Sequence, residues 1–212
     1  MAALMRSITP LTSFFLIART WAREQAAHLS PDYLAQASAK LVRRLLAEDW
    51  MALPSPLGLF RSTGSEVDTR LLYSAAFDAA WSVASPHASP SGRYVWHADD
   101  NPSALETGPH GILQPPASAP TIDPASLRVI LVPGLAFDRQ GHRLGHGAGI
   151  YDRLLAPAQP TAMLVGLCFS PLLVDSLPAE PHDIPMDLVL TESSALFLPS
   201  AAPKLAHLLG TC

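Results

Sequence analysis

Apolar residues recur at helical spacing near the start of the chain. Leu11–Ala18 is a short apolar run that leads directly into Arg19 and Arg23. Such a run is too short to span a bilayer, and no Ala-x-Ala cleavage site follows it, so the pattern favours a first helix over a leader peptide. A second helix is predicted from about Pro31 to Ala47, because an N-cap serine and a first-turn proline precede leucines at helical spacing.

Downstream, short apolar runs alternate with amphipathic segments, which is typical of parallel α/β folds. Arg128–Val132 is an unbroken apolar run rich in β-branched residues, and it predicts a central strand buried on both faces. Pro86–Pro124 is rich in Pro, Ser and Ala and predicts loops with one strand. The predicted elements are a strand at Leu57–Phe60, a helix from Val67 to Ala79, strands at Trp81–Ser85, Arg93–His97 and Arg128–Val132, a helix beginning at Tyr151–Leu155, and strands at Thr161–Phe169 and Asp187–Thr191.

Composition narrows the class of protein. The 212 residues are 49% hydrophobic and 15% charged, so one domain spanning residues 1–212 is expected. The net charge is −4 without a basic stripe, which argues against nucleic acid as a partner. Two cysteines form no disulfide framework, which indicates a reducing, cytoplasmic compartment. We expect a monomer that binds small molecules and no membrane.

The segment with the most chemical information is Pro133–Leu155, which joins the central strand to the next helix, where ligands of α/β sheets bind. Two arginines in it, with guanidinium groups suited to phosphate oxygens, flank three alternating glycines that let backbone N–H groups surround an anion. These residues are Arg143, Gly145, Gly147, Gly149 and Arg153. The spacing excludes the Gly-x-Gly-x-x-Gly and P-loop motifs. A turn that only joins strand to helix is the alternative, but the arginines and an acidic first helical turn favour phosphate binding.

The sequence from Phe137 to Arg153 resembles the signature loop of the 5-formyltetrahydrofolate cyclo-ligase family, in the form Phe-Asp-x-x-Gly-x-Arg-Leu-Gly-x-Gly-x-Gly-x-Tyr-Asp-Arg. Further segments follow in the family's order. Gly64–Thr69 resembles its substrate loop, Trp81–Pro86 its next strand, Gly111–Pro115 its Gly-Ile-x-Glu/Gln-Pro turn, and His182–Asp187 its C-terminal acidic motif. The resemblance covers about residues 13–198 and implies a three-layer α/β/α sandwich around a mainly parallel sheet.

The resemblance also implies a reaction and a set of roles. Members of the family use ATP and Mg²⁺ to close 5-formyltetrahydrofolate to 5,10-methenyltetrahydrofolate, with release of ADP and phosphate. Arg143 and Tyr151 would be catalytic, Glu66 and Gln114 would contact the folate, and Asp152 and Asp187 would hold Mg²⁺. The nucleotide would be bound by Arg19, Arg143, Gly145, His146, Gly147, Ala148, Gly149, Ile150 and Tyr151.

Some positions depart from the family's pattern. Phe15 stands where a lysine usually precedes the N-terminal arginine by one helical turn, and Ser170 with Pro171 stands where many members have a glutamine. These departures leave open a non-catalytic folate- or nucleotide-binding protein, and a sugar-phosphate isomerase-like enzyme remains a third hypothesis. Asp187 as a turn residue and Glu66 as a first-turn helix acid are the structural alternatives at those two positions.

Overall fold

The computed structural model describes residues 11–52, 56–158 and 160–210. Its helices are α1 (Leu11–Ala27), α2 (Pro31–Leu46), α3 (Arg70–Asp78), α4 (Ile150–Leu155) and α5 (Ala201–Leu208). Its strands are β1 (Leu57–Gly58), β2 (Val83–Ala88), β3 (Tyr94–Ala98), β4 (Glu106–Thr107), β5 (Leu113–Gln114), β6 (Val129–Pro133), β7 (Ala136–Asp138), β8 (Arg143–Leu144), β9 (Met163–Leu167), β10 (Leu173–Val174), β11 (Leu188–Leu190) and β12 (Ala195–Phe197).

Seven strands form a central sheet in the order β12–β11–β9–β6–β1–β2–β3. The five inner strands run parallel, and the two edge strands β12 and β3 are antiparallel to their neighbours. Every residue of β6 and β9 is buried, as expected where both faces of a parallel sheet are covered. The predicted α/β/α sandwich with a mainly parallel sheet is therefore confirmed, and so is the central position of the Arg128–Val132 strand.

The two predicted N-terminal helices are also present. The Ser30 hydroxyl accepts the Tyr33 N–H at 3.1 Å, and Pro31 occupies the first position of α2, where a missing N–H does no harm. Leu41, Val42 and Leu45 then bury one face of α2 in the core. No described helix is both long enough and apolar enough to cross a lipid bilayer.

Strand β2 corrects one predicted boundary. The sequence predicted a strand that stops at Pro86, but β2 continues through Pro86 to Ala88. Neighbouring β1 pairs only with Val83 and Ala84, so the later residues of β2 have a strand on one side only. A proline without an N–H is tolerated along such an edge.

The start of α3 corrects another boundary. The helix begins at Arg70 rather than near Val67, and Glu66 lies in the preceding loop, so the first-turn interpretation of Glu66 was wrong. The helix begins later than predicted because the polar groups of Thr69 have partners in the loop. The Thr69 hydroxyl donates to the Phe60 carbonyl at 2.8 Å, and the Thr69 N–H donates to the Ser62 hydroxyl at 3.3 Å. These bonds tie both ends of the Phe60–Thr69 segment together as a loop.

The position of Asp187 differs most from the predicted one. It immediately precedes β11 and therefore lies at the amino edge of the parallel strands, whereas the glycine-rich segment lies beyond the carboxyl end of β6. Its buried carboxylate accepts hydrogen bonds from the Lys204 ammonium group of α5 at 2.7 Å and from the Leu164 N–H of β9 at 2.8 Å. Asp187 thus fastens α5 to the sheet, and the prediction that it shares a magnesium ion with Asp152 was wrong.

Asp187→Asn should lower the free energy of unfolding by about 3 kcal/mol, because Lys204 would keep its charge in a nearly enclosed site without a carboxylate. The asparagine oxygen can still accept the Leu164 N–H, so the loss reports on the charge alone. Urea denaturation measures it. The double variant Asp187→Asn/Lys204→Met removes both charges and should regain most of the stability, and a double variant as unstable as the single one would contradict the pairing.

Candidate active site

A cleft of about 760 Å³ opens at the carboxyl edge of the parallel strands. Its walls come from α1, from the ends of β1, β2 and β6, from β5, from the glycine-rich loop with α4, and from the segment before β11. Ligands of open α/β sheets bind at this edge. Among the predicted site residues, the cleft is lined by Arg19, Glu66, Gln114, Arg143, Gly145, His146, Gly147, Ala148, Gly149, Ile150, Tyr151 and Asp152.

The glycine-rich loop is held in shape by arginines from two directions. Arg19 on α1 donates its Nε–H to the Gly145 carbonyl at 3.0 Å, and Arg153 donates to the Ala148 carbonyl at 2.9 Å. Gly147 has a φ of +105°, and a Cβ atom there would lie 3.2 Å from the Arg19 guanidinium carbon. Only glycine allows this backbone and the close approach of Arg19 together. The structure thus brings Arg19 to the loop, and its predicted contact with the nucleotide stays a prediction.

Arg143 and Asp152 face each other across this loop. Nη2 of Arg143 lies 3.0 and 3.1 Å from the two carboxylate oxygens of Asp152. The Arg143 side chain is 8% exposed, and its Nε is a buried nitrogen without a hydrogen-bond partner among the described residues. Buried donors without an acceptor are rare in folded proteins, and functional sites are one place where they occur.

Tyr151, the second residue of α4, contributes an aromatic ring to the lining of the cleft. Its ring centroid lies 5.6 Å from the guanidinium carbon of Arg143. Burial, and secondarily the negative charge of Glu66, raise the pKa of the Tyr151 hydroxyl well above the ordinary tyrosine value. The phenol therefore stays protonated at neutral pH and can donate a hydrogen bond but not act as a base.

Glu66 projects from the loop before α3 into the same cleft. One carboxylate oxygen accepts the N–H of Thr63 at 2.8 Å and its hydroxyl at 3.1 Å. The other oxygen lies 3.9 Å from Nε2 of His146 in the glycine-rich loop. The hydrogen bonds from Thr63 to one oxygen therefore fix the orientation of the Glu66 carboxylate. The second oxygen, which lies between the loop before α3 and the glycine-rich loop, is left for a ligand.

Gln114 has a different environment from the one expected for a substrate contact. Its side-chain oxygen accepts the Ala88 N–H at 3.0 Å, and its amide nitrogen donates to Glu106 at 3.1 Å and lies 3.0 Å from Nδ1 of His87. The amide fastens β5 and β4 to β2. The structure thus gives Gln114 a positioning role in the cleft wall, and its contact with substrate stays a prediction.

Two groups of cleft residues were missed by the sequence reasoning. Arg61 follows β1 and is paired with Asp99, a residue 38 positions away that no local pattern connects to it. Glu180, His182 and Asp183 form the second group, and their possible ligand atoms all lie within 4.8 Å of one another. Asp183 belongs to the acidic motif noted in the sequence, where Asp187 was predicted as the metal ligand, and Asp183 is the aspartate of that motif that lines the cleft.

Comparisons with known proteins agree on one family. The sequence model of the 5-formyltetrahydrofolate cyclo-ligase family matches residues 18–192. A 5-formyltetrahydrofolate cyclo-ligase from Escherichia coli is 29% identical over 81% of this chain and 96% of its own length. One from Mycolicibacterium smegmatis is 47% identical, but the match spans 42% of this chain and 47% of that protein. The solved structure of Aquifex aeolicus 5,10-methenyltetrahydrofolate synthetase superposes with a TM-score of 0.80 at 26% identity, covering 88% of this chain and 93% of that one.

Gly147→Ala should weaken the binding of a nucleoside triphosphate at least about tenfold, because backbone strain of about 1–3 kcal/mol and the displaced Arg19 both disturb the loop. Isothermal calorimetry with ATP measures this affinity. Gly92→Ala is the matched control, since Gly92 has a φ of +77° with nothing within 4 Å of an added Cβ and lies in the turn between β2 and β3. The control should lose stability but keep its ATP affinity. Unchanged ATP binding in Gly147→Ala would remove the loop from the nucleotide site.

Proposed function

Since this chain belongs to the 5-formyltetrahydrofolate cyclo-ligase family, we propose that it uses ATP and Mg²⁺ to convert 5-formyltetrahydrofolate to 5,10-methenyltetrahydrofolate, releasing ADP and phosphate. The observation that carries the proposal is that Arg143, the glycine-rich loop and Glu66 line one cleft at the carboxyl edge of the sheet. One cleft therefore combines a donor set suited to phosphate with an acceptor suited to the folate.

The reaction requires alignment and charge neutralisation more than a protein nucleophile. The formyl oxygen on N5 takes the γ-phosphoryl group, and N10 then attacks the activated carbon and expels phosphate. Positioned donors contribute most in such transfers, because the charge develops where they already point. Arg143 and the loop N–H groups would bind the transferred phosphoryl group, Arg19 would hold the loop, and Tyr151 would donate from its neutral hydroxyl.

Arg19 and Phe15 show how the cleft tolerates the absent lysine. The guanidinium carbon of Arg19 lies 5.2 Å from the centroid of the Phe15 ring. An arginine over an aromatic face is favourable and loses less freedom when a ligand binds. Phe15 would therefore support Arg19 without adding a charge of its own. The missing charge is also the observation that favours the second candidate, a binding protein of the same family without activity.

Carboxylates in the cleft fit a magnesium ion. Mg²⁺ prefers hard oxygen ligands and takes one or two carboxylates together with phosphate oxygens and water. Asp152 and Asp183 both line the cleft and would supply these carboxylates. When bound, the ion would neutralise negative charge on the ATP phosphates. In its absence, the Asp152 carboxylate is satisfied by Arg143.

The proposed activity is tested by mixing the purified protein with 5-formyltetrahydrofolate, ATP and Mg²⁺ and following the near-ultraviolet absorbance of the methenyl product. We expect the band to grow only when all three are present, with one ADP released for each product formed. Binding of both ligands by calorimetry without any product would select the non-catalytic protein. Failure to bind 5-formyltetrahydrofolate would contradict the proposed activity, and failure to bind either ligand would contradict both candidates.

Asp152→Asn and Asp183→Asn should each raise the Mg²⁺ concentration needed for half-maximal turnover, by roughly tenfold, because each removes a charged oxygen from the ion. Asp187→Asn is the control, since its carboxylate is committed to Lys204 at the other edge of the sheet. It should leave the magnesium requirement unchanged when assayed well below its unfolding midpoint. A normal magnesium requirement in Asp183→Asn, or a raised one in Asp187→Asn, would reverse the assignment.

A further inference from the structure

Arg61 is a cleft residue with an unusually well-defined orientation. Its Nη2 donates to both carboxylate oxygens of Asp99, at 2.7 and 2.8 Å, and its Nε donates to one of them at 3.2 Å. The guanidinium carbon also lies 4.1 Å from the centroid of the Tyr73 ring. Because it is held along one edge and over one face, the guanidinium group has little freedom to turn.

The partners of Arg61 are themselves fixed by a buried chain of hydrogen bonds. The Ser85 hydroxyl donates to Asp99 at 2.7 Å, and the Tyr73 hydroxyl lies 2.6 Å from that of Ser85. Burial raises the pKa of the Tyr73 hydroxyl well above its ordinary value, so Tyr73 remains the proton donor of this chain. The Asp99 side chain is fully buried, while that of Arg61 is 18% exposed. This network therefore fixes the orientation of the Arg61 guanidinium group in the wall of the cleft.

One nitrogen of Arg61 is left for a ligand. Nε and Nη2 are used by Asp99, whereas Nη1 has no hydrogen-bond acceptor within the ranges that the structure describes. Nη1 is not among the enclosed atoms without a partner, so it keeps some exposure, and Arg61 is one of the residues that line the cleft. A guanidinium group that is fixed in this way and has one free nitrogen can donate to a ligand acceptor atom at a defined position.

Arg61 and Glu66 belong to the same braced loop, the segment from Phe60 to Thr69 that Thr69 ties at both ends. This wall thus presents a donor at Arg61 and an acceptor at Glu66, and the aromatic rings of Tyr94 and Tyr151 line the same cleft. A flat heterocycle with an acceptor next to donors is complementary to such a wall. The edge of a 4-oxopterin has this pattern, with the 4-oxo group as acceptor and N3–H and the 2-amino group as donors.

We propose that Arg61 donates a hydrogen bond from Nη1 to the 4-oxo group of the pterin while Glu66 accepts from the adjacent N3–H and 2-amino group. Arg61 is then the residue that selects 4-oxopterins over 4-aminopterins, in which an amino group replaces the acceptor. The inference rests on the proposed function, because that function supplies the folate. A site whose donor is left without an acceptor discriminates strongly against the wrong ligand.

The test compares 5-formyltetrahydrofolate with its 4-amino analogue, both in turnover and in calorimetric binding without ATP. Arg61→Met alone would leave the buried charge of Asp99 unpaired and endanger folding, so the variant is Arg61→Met/Asp99→Asn, which removes both charges. We expect its affinity for the 4-oxo ligand to fall roughly tenfold to a hundredfold, with affinity for the 4-amino ligand and the KM for ATP nearly unchanged. The natural preference for the 4-oxo ligand should thereby disappear.

Arg139→Met/Asp175→Asn is the matched control, because it removes an arginine–aspartate pair in which the arginine side chain is 58% exposed, and neither residue lines the cleft. Its preference should equal that of the unaltered protein. A double variant of Arg61 and Asp99 that keeps the 4-oxo preference, or one whose main defect is a raised KM for ATP, would overturn the inference. If the unaltered protein makes no methenyl product, the proposed activity fails, while the calorimetric preference still decides the role of Arg61.

Discussion

Arginine side chains that enter the cleft lose part of their hydration, and the structure offsets this cost with acceptors of its own. Arg19 donates to the Gly145 carbonyl, Arg61 to the Asp99 carboxylate, and Arg143 to the Asp152 carboxylate. Each pairing uses one part of the guanidinium group and leaves another part for a ligand. Three arginines thus line one cleft at the carboxyl edge of the parallel sheet, and hydrogen bonds within the protein set the orientation of each.

This arrangement explains why the two carboxylates next to arginines have different roles. Asp99 is fully buried and receives bonds from both Arg61 and Ser85, so it is a fixed part of the wall. Asp152 is partly exposed, and among the described residues only the Arg143 side chain donates to its carboxylate. Under the proposed function, this more exposed carboxylate would exchange Arg143 for the magnesium ion, whereas Asp99 would stay with Arg61.

Sequence reasoning succeeded where local patterns determine the structure. The unbroken apolar run at β6 indicated a buried strand, and the three alternating glycines after it indicated a loop at the ligand-binding edge. It failed where a residue's role depends on partners far away in the chain. Asp187 and Asp183 lie in one short motif, and only the packing of α5 through Lys204 shows which aspartate faces the core. Arg61 carried no local signal, because its orientation is set by Asp99 and Tyr73 on other elements.

The bond between Arg19 and the Gly145 carbonyl joins residues that are 126 positions apart. During synthesis, α1 therefore leaves the ribosome long before the loop that it supports exists, and it has no final docking partner until most of the sheet strands have been made. Contacts of such long range form late, because closing the intervening chain costs entropy that only the assembled core can repay. The part of the cleft that α1 and the glycine-rich loop form together is then among the last parts of the molecule to be completed, and a ligand that contacts both would stabilise the folded state.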